Sequence, residues 1–332
     1  MSMIRHRHGW NRSYGFALCL LVLVAASACA DEIPAQAAQE AQPGRQIELT
    51  EISVQAPEPE FVAPTRRDRI GRIWAPVLID GKGPYRLVLD TGANHSAVTE
   101  RTAQNLGTTT TEVTALVTGF TGSATVPTIH VSSLDIGSFA LGPENLPVLA
   151  DVFGGAEGVL SLSELKKERI FADFVHDRLE IAPSQRERAP NGFATVPLHM
   201  VRGLPTADIL VGGVRTMAII DTGAQSTVGN LALRKALASR TSQKASREDI
   251  IGVTLQAQAG DSMPLPDIQL GRLTIRGVTV VFGDMYLFQH WHLTREPTLT
   301  LGMDLLGSFD VLIIDYARRE MQLRPRMASR EP

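Results

Sequence analysis

The four residues Asp-Thr-Gly-Ala occur twice, at Asp90 to Ala93 and Asp221 to Ala224, each time directly after an apolar run, Leu87-Val88-Leu89 and Met217-Ala218-Ile219-Ile220. At average residue usage a given Asp-Thr-Gly arises about 0.1 times in a chain this long. Two copies in matching contexts therefore mark a duplication. Two carboxyl groups held about 3 Å apart cannot both ionise, so one keeps its proton while the other serves as a base. Such a pair can activate water. The ionised partner takes a proton as the water attacks a carbonyl, and the protonated partner stabilises the developing oxyanion, with no covalent intermediate. Asp90 and Asp221 would titrate as one unit. The plainer alternative, two strand-ending turns, follows from the turn preference of Asp and Gly but leaves the repeated context unexplained.

Such chemistry needs two matching scaffolds, and the surrounding sequence supplies them. Val77-Leu78-Ile79-Asp80-Gly81 leads as strand and turn into Tyr85 to Leu89; Ile209-Leu210-Val211-Gly212-Gly213 leads likewise into Thr216 to Ile220. Each unit predicts a hairpin. A short helix is expected after each Asp-Thr-Gly-Ala, Thr99 to Leu106 stopped by Gly107, and Asn230 to Ser239 opened by a capping Asn. Alternating β segments follow, including Glu112 to Val117 and Ile250 to Gln258. Each half then closes on Gly158-Val159-Leu160-Ser161 or Leu299-Thr300-Leu301-Gly302, a helical turn and a final strand, Ile170 to Ile181 and Val311 to Leu323. In those strands Asp173-Phe174 answers Asp315-Tyr316. The expected organisation is a first lobe over 70–183, a Pro- and charge-rich linker over 184–193 and a second lobe over 194–326.

With these residues laid out, the chain resembles the retropepsin-like aspartic proteases, of the bacterial exported type with both lobes on one chain. The resemblance covers about Ile73 to Leu323. It implies a mainly β, bilobal acid-protease fold with short helices, and an aspartic endopeptidase whose catalytic residues are Asp90 and Asp221. Thr91 and Thr222 are expected to bond across the pseudo-twofold axis to the opposite loop. Gly92 and Gly223 leave room for two backbones to meet and direct N–H groups at the carboxylates. Ala93 and Ala224 are closer to the retroviral form than to the pepsin form, where Ser or Thr is usual.

Family members cover the substrate with a hairpin flap. Gly119, Phe120, Thr121 and Gly122 fit that place in the first lobe, and Gln258 to Ser262, around Gly260, fits it in the second. Glycine at a flap tip permits opening and closure. One departure stands out. The closing motif of the first lobe carries Ser161 where the family has glycine, and this admits an alternative, a catalytically inactive bilobal module that binds or scaffolds peptides. A self-associating peptidase is a third reading, but two complete loops on one chain make dimerisation unnecessary, so a monomer is expected.

Other chemistry is weakly represented. His290-Trp291-His292 lacks a nearby third ligand, so neither a metal nor any cofactor is expected. His95, near the first loop, reads as structural. A net charge of -3 supplies no basic field for nucleic acid, and the expected partner is a polypeptide substrate. The start, with Arg5, Arg7 and Arg12 before roughly 12 apolar residues, falls short of the ~20 a spanning helix needs and reads as a signal peptide over 1–30. The chain is therefore expected to be exported, to the periplasm. Both cysteines, Cys19 and Cys29, belong to this segment, so the mature body has no internal disulfide. Cys29 allows two outcomes, a lipidated N-terminus that tethers the chain to a membrane, or ordinary cleavage before Asp31. Residues 31–69 read as a disordered tether or a pro-segment, whose Arg66, Arg67 and Arg69 could lie across an acidic cleft.

Overall fold

The computed structural model describes residues 52–55 and 72–326, apart from 138, 164–166, 177, 185–188 and 241–244. The fold is mainly β and bilobal. In the first lobe the strands Trp74–Ile79 and Lys82–Asp90 form the expected hairpin, turned through Asp80 and Gly81 at φ 49° and 72°. Along Trp74–Ile79 burial alternates, with Ala75, Val77 and Ile79 inside and Pro76 and Leu78 outside, as a half-buried strand requires. The alternation stops at Leu87-Val88-Leu89, all three buried. There the strand Gly158–Ser161 joins in parallel, with Leu87 opposite Gly158 and Leu89 opposite Leu160. A strand covered on both faces reads as a continuous apolar run.

The second lobe repeats this plan. Leu204–Val211 and Val214–Ile220 pair antiparallel, and Thr298–Leu301 joins in parallel with Ile220 opposite Leu301. Each Asp-Thr-Gly thus begins where a central strand leaves its sheet. Both short helices keep their sequence signals. Thr99 caps Glu100–Leu106 by accepting the Thr102 N–H, and Gly107 ends it at φ 67°. Asn230 caps Leu231–Leu237 through Leu233 N–H, and its amide also donates to the Leu293 and Glu296 carbonyls, fastening the helix to the segment before the closing strand.

A nine-stranded sheet builds the first lobe, an eleven-stranded sheet the second, and a five-stranded sheet joins them. In the joining sheet Glu168–Asp173 of the first half lies beside Phe309–Asp315 of the second, with Ile170 opposite Ile314. One continuous apolar core passes through it, from Leu89 and Leu160 on one side to Leu301 and Phe309 on the other. The final segment of each half, expected as one strand, is instead a hairpin: Glu168–Asp173 returns as Arg178–Pro183, and Phe309–Asp315 as Glu320–Pro325. The aspartates make the turns. Asp173 accepts the N–H groups of Val175 and His176, and Asp315 that of Arg318, the local bonding by which Asp initiates a turn.

Within 31–69 only Ile52–Gln55 is described, and these four residues are not disordered: they form a strand parallel to Leu273–Arg276 of the second lobe. The alternation Ile-Ser-Val-Gln is a strand pattern that a composition-based reading overlooks. The expected signal peptide at 1–30, Cys29, Arg66, Arg67, Arg69 and residues 185–188 of the expected linker lie outside the described residues.

Candidate active site

The two Asp-Thr-Gly loops meet and bond each other reciprocally. Thr91 N–H donates to Thr222 Oγ1 at 3.1 Å and Thr222 N–H to Thr91 Oγ1 at 3.0 Å. Each hydroxyl then donates at 2.6 Å to a carbonyl of the opposite lobe, Thr91 to Ile220 and Thr222 to Leu89. Both threonines are buried, so these four bonds are shielded from water. Asp90 Oδ1 accepts the N–H groups of Gly92 and Ala93 at 2.7 and 2.9 Å; Asp221 Oδ1 accepts those of Gly223 and Ala224 at 3.0 and 2.9 Å. One oxygen of each carboxyl is thereby pinned. The glycines are required by closeness: a Cβ on Gly92 would stand 2.8 Å from Asp221 Cγ, and one on Gly223 only 2.2 Å from Asp90 Cγ.

Burial raises the proton affinity of both carboxyls. For Asp90 the removal from water is reinforced by the charge of Asp221, which together outweigh its two N–H donors and push it up to about 8. Asp221 is raised too, again by burial, and this prevails over its N–H donors and a hydrogen bond from Asp90. Two hydrogen-bonded carboxyls sharing one proton are the arrangement a water-activating dyad needs.

The closing segments hold the loops from behind, by different means in the two lobes. In the second, Gly302 N–H donates to Thr227 Oγ1, and Met303 and Asp304 N–H groups donate to the carbonyls of Ala224 and Gln225 at 2.9 and 3.1 Å. A Cβ on Gly302 would lie 2.6 Å from the Ser226 carbonyl carbon. In the first lobe Ser161 N–H donates to Ser96 Oγ, and hydroxyls replace the later amides: Ser161 Oγ donates to Ala93 O at 2.8 Å and Ser163 Oγ to Asn94 O at 3.0 Å. Ser161 is thus accommodated and its side chain supports the loop. Ser161→Ala should destabilise the fold by about 1 kcal/mol, the cost of a part-buried carbonyl losing its donor. Urea unfolding of the two proteins checks this; equal midpoints would mean the hydroxyl bond contributes nothing.

A family model described as aspartyl protease matches residues 75–163 and 207–305, one stretch for each repeat and together more than half of the chain. The chain belongs to the aspartyl protease family. No curated protein matches it. Among solved structures it is similar to the crystal structure of the aspartic proteinase from Irpex lacteus, with 13% identity and a TM-score of 0.48 over 78% of this chain and 96% of that one.

In this aspartyl protease family member two hairpin tips, one from each lobe, meet and cross. Thr118 and Ser123 face each other at the first tip, where Gly119 N–H bonds Gly122 O at 2.8 Å, so Gly119, Phe120, Thr121 and Gly122 form the expected turn. The second tip is not at 258–262. Ser246–Ile251 and Ala257–Pro264 are joined by Gly252 to Gln256, and Gly260 sits within a strand opposite Glu248. Its glycine serves packing, since a Cβ there would come 2.4 Å from Val281 Cγ1. The tips interlock. Thr121 Oγ1 donates to Gln256 O at 2.6 Å and accepts Gly252 N–H at 3.1 Å. Phe120 packs edge-on against Phe288 at 5.6 Å, in an apolar cluster of the second lobe with Leu204, Ile219 and Val228. Val253 enters the matching cluster of the first lobe with Val88, Ala97 and Val159.

The structure brings together Asp90, Asp221, Thr91, Thr222, Gly92 and Gly223, as the sequence leads one to expect, and adds Val253, Gln256, Arg72 and Tyr316, which the sequence did not point to. Arg72 acts electrostatically on both aspartates, and Tyr316 is within reach of the charge of Asp90. Only the register of the Trp74–Ile79 hairpin could have pointed to Arg72, and nothing local marks Tyr316. His95 is exposed on the first loop, and His290 and His292 flank Trp291 at the end of a short helix. Among the described residues no three His, Cys, Asp or Glu side chains gather as metal ligands would.

Proposed function

We propose that the protein is an aspartic endopeptidase that hydrolyses peptide bonds with a water held between Asp90 and Asp221. The observation that carries this reading is the meeting of two aspartate carboxyls, each with one oxygen pinned by two N–H groups, at the junction of two reciprocally bonded loops. The ionised carboxylate removes a proton from the water as its oxygen attacks the scissile carbonyl; the protonated carboxyl gives a hydrogen bond to the forming oxyanion. Protonation of the amine then breaks the C–N bond, and the dyad regains one shared proton. The free Oδ2 atoms do this work while each Oδ1 stays pinned by two N–H groups. Ser161, the departure that suggested an inactive binding module, supports the first loop and no longer favours that alternative.

The shared proton dictates the pH response. Below the first ionisation of the pair neither carboxyl can act as base; above the second no proton remains for the oxyanion. Burial pushes both carboxyls up, and the alanines after the glycines offer only N–H donors to hold them down. A bell-shaped profile with a mildly acidic optimum is expected, falling as pH rises through about 8. Cleavage of a peptide library across a pH series tests it. A rate climbing steadily into alkaline solution, or abolished by a chelator, contradicts the dyad.

A further inference from the structure

The two lobes differ beside the dyad at one place where the duplication would make them alike. Trp74 lies opposite Val88, and Ile73 O accepts the Leu89 N–H at 2.8 Å, so one further step along the antiparallel pair sets Arg72 opposite Asp90. In the second lobe Thr206 lies opposite Ile219, and the same count sets Leu204 opposite Asp221. Leu204 is buried in the apolar cluster that receives Phe120. One lobe presents a hydrocarbon here and the other a guanidinium. The field of Arg72 reaches Asp90 and Asp221 alike, in each case favouring loss of a proton. Tyr316, at the turn of the joining sheet, is within reach of the charge of Asp90, and its phenol stays neutral because burial and that charge both oppose ionisation.

We propose that Arg72 is a positioning residue for the dyad, a cation on the first lobe that stabilises the state in which Asp90 and Asp221 share one negative charge. This rests on the peptidase reading. Two carboxyls removed from water tend to keep both protons, and a doubly protonated pair has no base for the water. Arg72 offsets that tendency, so the working state extends into mildly acidic solution.

The test uses the full chain and its Arg72→Met and Arg72→Lys variants, with peptide cleavage and thermal unfolding each followed across pH. For Arg72→Met the whole bell is expected to move to higher pH by about one unit, as loss of a nearby opposite charge requires; Arg72→Lys should return it at least halfway. Unfolding gives a readout independent of activity. A carboxyl whose folded-state proton affinity is raised contributes stability in full below its unfolded value and loses that contribution as pH rises through the folded value. The alkaline fall in Tm should therefore shift upward in Arg72→Met. If that variant does not fold, Arg72→Gln, which keeps hydrogen bonding and lacks the charge, takes its place. Should the wild type cleave no peptide, the peptidase reading fails while the Tm curves still decide the role of Arg72. Should the wild type cleave and both curves of the uncharged variant overlay its own, the proposal for Arg72 is overturned and the peptidase reading stands.

Discussion

Asp90→Asn and Asp221→Asn should each lower peptide cleavage by several orders of magnitude while leaving the fold intact. General acid–base assistance alone accounts for about 10²- to 10⁴-fold. The amide oxygen of Asn can keep the two N–H bonds that pin Oδ1 in either loop, so the local geometry survives. What is lost is the second ionisable oxygen. Each variant should also lose less stability than the wild type as the solution turns alkaline, because one buried acid no longer has to ionise. Both Asp-Thr-Gly loops belong to one chain, so mixing the two variants should restore nothing beyond their summed residual rates, and specific activity should not fall on dilution. Restored activity on mixing would place the sites between chains. Full activity in either variant alone would end the peptidase reading.

Gly223→Ala should also be damaging, for a steric reason. The added Cβ would stand 2.2 Å from Asp90 Cγ and from Oδ2, far inside contact distance. Asp90 cannot swing aside, because its other oxygen is held by Gly92 and Ala93. The loops must separate, which stretches the threonine bonds between them. A displacement of about 1 Å at reacting groups costs about 10²-fold in rate, and overpacking of this kind costs about 1–3 kcal/mol in stability. Cleavage assays beside urea unfolding measure both. Wild-type values for both would show that the loops do not approach this closely in solution.

Legibility followed the range of each interaction. The hairpins, the capped helices and the dyad were readable because their signals are local: Asp80-Gly81 at a turn, Thr99 and Asn230 as caps, an apolar run ahead of each Asp. The second tip was misplaced because Val253 to Gln256 alternate like a strand and Gly260-Asp261 looks like a turn, whereas packing decides otherwise: Val253 leaves for the opposite lobe and Gly260 makes way for Val281. The last segment of each half was read as one strand because its turn is made by an aspartate whose bonds to the following amides leave no glycine or proline as a mark. Ser161 looked like a defect in sequence, since only the three-dimensional arrangement shows a hydroxyl standing in for a backbone amide. Arg72 and Tyr316 come to the dyad through the register of a hairpin and the meeting of two halves, neither of which a single sequence displays.

The reciprocal threonine bonds join residues 131 positions apart. Contacts at such separation are among the last a chain can close, because the loop entropy must be spent before they form. A growing or half-folded polypeptide that has completed only its first sheet holds Asp90 as a lone acid, without the opposite hydroxyl, the opposite carbonyl or the second carboxyl. It is chemically mute. On the peptidase reading, hydrolytic power would arise only when the halves dock, so the same four bonds that align the acids would also keep an immature chain from cutting itself or its neighbours.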